Sequence, residues 1–171
     1  WVESLRTVPP AAVLVRFREL TGARLATLNA MSEDDWNAES FTPAGKDTFG
    51  RFMQIRVFDC WLHEQDIRDA VGRPGHETGL AVDVVLDEMA TALGFVVGKK
   101  AGATEGQSVT FALTAGGAVV RELHVEVGER AAVVPVLSGL ATVTLTMPIG
   151  VMTRRCAGRG RRARGERRQR G

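Results

Sequence analysis

Asp59 and His63 stand four residues apart in the stretch Arg56-Val57-Phe58-Asp59-Cys60-Trp61-Leu62-His63-Glu64-Gln65-Asp66-Ile67-Arg68-Asp69-Ala70-Val71-Gly72-Arg73-Pro74. Positions three and four apart share one face of a helix. Arg56, Asp59, His63 and Asp66 therefore line one polar strip, beside an apolar stripe of Phe52, Ile55, Phe58 and Leu62. A carboxylate and an imidazole at this spacing can grip one metal ion from a single helix. Two donors are fewer than a catalytic zinc site uses, which is three protein ligands and one open position. The same spacing also suits a simple Asp–His ion pair, worth about a few tenths of a kcal/mol. Spacing alone leaves both readings open.

Neighbouring side chains have equally double roles. Glu64 and Asp66 either orient metal ligands from behind or are solvated helix charges. Arg68 and Arg73 either bind a substrate carboxylate through two-pronged guanidinium contacts or form salt bridges with Asp69 or Glu64. Trp61 and Trp36 are read as packing aromatics. His76, in a turn, and His124, in a strand, are read as structural. Cys60 is expected to be buried in the apolar face as an inert thiol.

The elements that must position these residues can be read from periodicity. Residues 9–30 form a helix opened by Pro9-Pro10, with Val13, Phe17, Leu20, Leu25 and Leu28 at helical spacing. Residues 31–46 read as a connection, with a short turn at Ser32–Trp36 and loop chemistry from Phe41 to Gly45. Residues 47–71 form one continuous helix, capped by Asp47 or Thr48 and stopped by Gly72-Arg73-Pro74. A third helix spans 80–98. The period then changes to two, giving strands at 107–114, 119–127, 131–136 and 142–147, with a turn at Ala115-Gly116-Gly117 and a helix at 148–157. Helices precede about Gly102 and strands follow it, so the fold class is α+β.

Composition sets the outer bounds. A hydrophobic share of 44% and a charged share of 25% are ordinary for a globular protein. No apolar run reaches the roughly 18 residues of a membrane span. No signal peptide is visible, and Cys60 and Cys156 make no disulfide framework, which suits reduced thiols in a cytoplasmic protein. The chain opens on Trp1 rather than Met, so an upstream segment is expected. The net charge of +2 is unevenly spread: residues 154–171 hold nine Arg and one Glu, a net +8, which leaves −6 on the preceding 153 residues.

The stretch RVFDCWLHEQDIRDAVGRPG resembles the signature helix of the mycothiol-dependent maleylpyruvate isomerase family, within the DinB-like helical-bundle metalloproteins. The acidic residue, the Trp, the His-Glu-Gln-Asp-Ile-Arg run and the Gly-Arg-Pro stop come in the family's order. The later stretches VEVGERAAVV and ATVTLTMPIGVMTRRCAGR are similar to the family's smaller, sterol-carrier-like C-terminal domain, so the likeness covers roughly residues 1–159. It implies an incomplete up-down bundle over 1–102, a small α+β domain with an antiparallel sheet over 103–157, and a basic tail from 158. It implies Asp59 and His63 as metal ligands, with a third ligand, a His, upstream of Trp1. The metal, zinc by resemblance, would lower the pKa of the mycothiol thiol, and the thiolate would add to a small electrophile. Arg56, Glu64, Asp66 and Arg68 are the surrounding candidates. A bundle short of helices leaves apolar faces bare, so self-association into a homo-oligomer is expected.

The tail, GRGRRARGERRQRG, departs from that pattern and has no apolar residue larger than Ala. It cannot bury a core and is expected to be disordered. One reading is an arginine arm that contacts nucleic-acid phosphates, on a non-catalytic binding protein of the same fold. The other is a shifted reading frame in a GC-rich gene. Deletion of residues 158–171 is expected to leave the melting temperature unchanged, because no apolar anchor is lost. Under the arm reading it also removes nucleic-acid binding. Calorimetry and a salt-dependent DNA-binding titration check both outcomes.

Overall fold

A computed structural model describes residues 2–158, so all but the first residue of the basic tail lies outside the described residues. The chain divides into two compact units, Trp1–Phe52 and Met53–Gly171. The division falls inside a long helix and not near residue 102.

The first unit opens with a short helix, α1 (Val2–Leu5), followed by α2 (Pro10–Asn29). Pro10 sits in the first turn of α2, where its missing N–H costs nothing. The expected apolar face of α2 finds no cover: none of its residues is buried, and Phe17, Leu20 and Leu25 are more than half exposed. The turn expected at Ser32 is a helix, α3 (Glu33–Asn37). Ser32 and Asp35 exchange side-chain and backbone hydrogen bonds as a capping box. Those bonds from Ser32 hold the Asp35 carboxyl below its usual range.

The loop expected at 41–45 is a hairpin of β1 (Glu39–Thr42) and β2 (Gly45–Thr48). The Thr42 hydroxyl accepts the Ala44 N–H and donates to the Gly45 carbonyl, which closes the turn. Gly45 takes φ +118°, a conformation side chains avoid. The strands hold a single large apolar residue, Phe41, too little for an alternating pattern to show.

The long helix is α4 (Phe49–Ala70), continuous as expected, and the Thr48 hydroxyl caps it by accepting the Arg51 N–H. Then come α5 (Leu80–Phe95) and a five-residue π-helical segment, Val96–Lys100. Four strands follow: β3 (Ser108–Ala115), β4 (Ala118–Val127), β5 (Ala131–Val134) and β6 (Val143–Pro148). The last described element is α6 (Ile149–Cys156). The α+β class holds, but the main sheet is mixed. Its order is β5-β4-β3-β6, antiparallel from β5 to β3, with β6 parallel to β3. The connection 135–142 carries the chain from one edge strand to the other. Along it, Ser138 bonds to Glu126 of β4, and the Ser108 hydroxyl of β3 donates to the Leu140 carbonyl. The Ser138 hydrogen bonds hold the Glu126 carboxyl below its usual range.

One core serves the second unit. Trp61 and Leu62 from α4, Val82, Val85, Leu86, Met89 and Leu93 from α5, Phe111 and Leu113 from β3, Leu123, Val125 and Val127 from β4, and Ile149 and Met152 from α6 are buried together. No helix among the described residues is long and apolar enough to cross a membrane.

Helix α5 lies close against the sheet at Gly94. A Cβ there would lie 2.6 Å from the Ala131 carbonyl oxygen, a backbone atom that cannot swing away. Gly94→Ala is therefore expected to destabilise the second unit by about 1–3 kcal/mol, although alanine normally favours a helix. A urea titration that gave the variant an unchanged or higher midpoint would contradict this contact.

Candidate functional site

Helix α4 carries two polar faces, and they do different things. The first is the strip anticipated from spacing. Arg56 Nη1 donates to Asp59 Oδ2 at 2.7 Å. Asp59 Oδ1 lies 3.5 Å from His63 Nε2, and Asp66 Oδ2 lies 3.7 Å from His63 Nδ1. Four side chains thus run in sequence along the helix, with charges alternating in sign whenever His63 is protonated. The strip is more open at His63 than at Asp59: the His63 side chain is 63% exposed, while that of Asp59 is 45% exposed.

The second polar face is turned to the loop between α4 and α5. Glu64, Gln65 and Arg68, with the buried Trp61, receive residues Arg73–His76 as the chain folds back. The Trp61 indole N–H donates to the His76 carbonyl at 2.9 Å, and Gln65 Nε2 donates to the Gly75 carbonyl at 3.3 Å. Glu64 uses both oxygens: Oε1 accepts from Arg68 Nε at 2.7 Å, and Oε2 lies 2.8 Å from His76 Nδ1. Arg68 Nη1 reaches the Arg73 carbonyl at 3.4 Å. His76 adopts φ +58°, a left-handed conformation uncommon outside glycine. Four side-chain bonds from α4 hold this loop, which explains why the unusual conformation persists.

The structure therefore separates candidates that spacing left together. Arg56, Asp59, His63 and Asp66 form one row. Glu64 and Arg68 face the loop and take no part in it. His76 is structural, as expected, but its role as the point where the loop is fastened was not visible in advance. The nearest signal was the glycine spacing around it, Gly72, Gly75 and Gly79, all with positive φ. Cys60 was expected to be buried and is exposed. It sits one position beyond Asp59, with Arg56 Nη2 at 3.8 Å from its sulfur, so it borders the polar strip and not the core. Trp61 is core, at 2% exposure. Trp36 packs on Phe49, ring centroids 5.6 Å apart. His124 is a sheet residue: its Nδ1 lies 3.0 Å from the hydroxyl of Thr110, its facing partner on β3.

The strip can be tested against a metal ion by its own dimensions. Two zinc ligands at about 2.0–2.1 Å from a tetrahedral ion stand roughly 3.3 Å apart. The Asp59–His63 separation of 3.5 Å fits that edge with almost no movement. That separation suits two ligands of one ion, and it is equally the distance of a simple Asp–His ion pair. Among the described residues, no group of three or more His, Cys, Asp or Glu side chains is arranged to hold a metal ion.

Comparison with known proteins adds one finding. Residues 1–68 match the family described as mycothiol maleylpyruvate isomerase N-terminal domain, a span that includes the whole strip from Arg56 to Asp66. No curated protein and no solved structure matches the chain.

The second polar face generates a prediction about pH. Partial burial is the largest single influence on Glu64 and opposes its ionisation. The hydrogen bonds and charges of Arg68 and His76 together outweigh it, so the carboxyl ionises below its usual range. A carboxyl lowered in this way stabilises the fold above its unfolded pKa, and the benefit disappears as pH falls through its folded value. Glu64→Gln is expected to cost roughly 0.5–1 kcal/mol near pH 7, a small figure because the group is partly solvated. The difference from the parent chain should shrink as pH falls through the folded value and disappear below it. Denaturant titrations of both chains across that range check the sign; a gap that widened in acid would contradict it.

Proposed function

We propose, on the premise that residues 1–68 match the mycothiol maleylpyruvate isomerase N-terminal domain family, that α4 supplies two ligands of the metal site of a mycothiol-dependent enzyme. The observation that carries this reading is the pair itself. Asp59 and His63 lie on one helix face, inside the family match, at a separation that suits two ligands of one divalent ion. Zinc is the ion best suited to a carboxylate and an imidazole combined with a thiol cosubstrate.

When bound, such an ion lowers the pKa of the mycothiol thiol, so that thiolate is available at neutral pH. The chain's own residues do the positioning. Asp59 offers Oδ1 because Oδ2 is held by Arg56. His63 offers Nε2, the nitrogen that faces Asp59. Trp61 and Leu62, buried beside these residues, fix the helix against the core so that the row keeps its direction. The reaction class is addition of the thiolate to a small electrophile, followed by its loss after rotation about the former double bond, or by transfer. Arg68, a sequence candidate for binding a substrate carboxylate, is engaged with Glu64 and the loop, so that role does not fall to it.

The metal reading has a direct test. Residues 1–171, stripped with chelator and titrated with zinc, are expected to bind it more weakly than a three-ligand catalytic site, because two donors leave the ion wet and loosely held. His63→Ala and Asp59→Asn should each remove that binding, and the chain alone should show no mycothiol-dependent isomerase activity. Zinc binding that survives both substitutions would remove this pair from the site.

A further inference from the structure

We infer that the outer edge of β6 docks a second copy of this chain: the two β6 strands pair antiparallel about a two-fold axis at Leu145, and two four-stranded sheets become one. The inference is independent of the proposed metal site.

The edge strand of a sheet presents main-chain N–H and C=O groups to any further strand, and proteins guard such edges with charges, prolines, bulges, short length or a covering element. The β5 edge is guarded. It is four residues long, Gly94 and Gly98 bring α5 and the π-helical segment against its first residue, Ala131, and Pro135 follows it directly. The β6 edge has no such guard. It is six residues long and pairs with β3 without a break in register. No charged residue lies between Arg130 and Arg154. Its proline, Pro148, is the last residue of the strand, and Val143, Thr144, Leu145 and Thr146 are all exposed.

The Gln107 carbonyl accepts the Val127 amide on the β4 side, and the Ser108 amide donates to the Thr142 hydroxyl on the β6 side. Main-chain direction alternates along a strand, so Thr110 and Ala112 also turn theirs toward β6. The parallel register then turns the main chain of Val143, Leu145 and Met147 toward β3, and that of Thr144 and Thr146 outward. Val143, Leu145 and Met147 lie opposite Val109, Phe111 and Leu113, on the face that carries the core. Phe111 and Leu113 are buried there, whereas Val143 is 46% exposed and Leu145 41%, so the apolar face is uncovered at this margin. The pattern Val-Thr-Leu-Thr-Met, apolar and threonine in turn, reads the same in both directions. Antiparallel pairing of identical strands about a two-fold axis requires that property. Centred on Leu145, it sets the two leucines together, Val143 against Met147, and Thr144 against Thr146. Apolar meets apolar and threonine meets threonine, which are pairs that stabilise neighbouring strands. Both β6 edges are then used and only the guarded β5 edges remain, so assembly closes at two copies. Residues 159–171 hold no β-branched or aromatic side chain and suit this position poorly.

The test is the mass of the full chain in solution, read by sedimentation equilibrium over a concentration series. The parent chain is expected to pass from 18.5 kDa to twice that mass. Amide hydrogen exchange at Thr144 and Thr146 should slow as it does. Thr144→Lys with Thr146→Lys sets lysine against lysine at exposed positions and should raise the dissociation constant about tenfold or more. Thr144→Lys with Thr146→Glu sets lysine against glutamate across the axis and should restore association. Amide spectra of each variant establish that the monomer is folded. A parent chain that stays at 18.5 kDa at every concentration overturns the inference. So does a dimer indifferent to the paired lysines, which would place the contact elsewhere, such as the exposed apolar side chains of α2. Failure of the lysine–glutamate pair to restore association overturns the Leu145-centred pairing. Loss of the dimer on removal of residues 159–171 would assign the edge to that segment and overturn the second copy as its occupant.

Discussion

The indole N–H of Trp61 must find an acceptor. Trp61 is almost wholly buried, and a buried donor left without a partner costs about 1–3 kcal/mol. Its acceptor is the carbonyl of His76, fifteen residues on, and that bond requires the chain to turn back along α4 directly after the helix ends. The glycines at 72, 75 and 79 supply the left-handed conformations the return needs. The bonds from Gln65 to Gly75 and between Glu64 and His76 then fasten the same return at further points. Fixing this loop sets where α5 begins, and α5 contributes the largest share of the buried apolar residues in the second unit.

This arrangement divides α4 by purpose. Its inward face, Trp61 and Leu62, is held by apolar burial, worth roughly 1.5–3 kcal/mol for a fully buried large side chain. Its loop-facing side is held by hydrogen bonds and partly shielded ion pairs. Its third side, the Arg56–Asp66 row, contributes little to stability, because ion pairs this exposed are typically worth about 0–1 kcal/mol. The row lies within residues 1–68, the span of the family match.

The rest of the second unit explains how a small sheet supports this helix. Core-facing residues of β3 and β4, Phe111, Leu113, Leu123 and Val125, are buried beneath α5 and α6. Gly94 and Gly98 let the end of α5 and the π-helical segment after it lie directly against Ala131 at the start of β5. Arg121 of β4 pairs with Asp83 and Asp87 of α5 and ties helix to strand at the rim, where the apolar contact ends. Arg154 of α6 does the same for α4 through Asp69.

Much of this was legible in the residues alone. The span of α4, the cap at Thr48, the stop at Gly72 and the shared face of Asp59 and His63 all follow from interactions within a few positions, which periodicity records. The four strands near residues 107–147 were visible for the same reason, since alternation such as Val109, Phe111, Leu113 is local. The hairpin at 39–48 was not, because its strands carry almost no apolar alternation and are held by main-chain pairing and a threonine-closed turn. Nor could sequence say that β6 runs parallel to β3, because strand partners are chosen across a connection, 135–142, whose path depends on distant Glu126 and Ser108. The same limit applied at the site. Glu64 and Asp66 are chemically alike and both within three residues of His63, so composition and spacing treat them equally. Only the return of the loop, which takes up both oxygens of Glu64, told them apart, because a side chain's direction is fixed by what packs against it and not by its place in the chain.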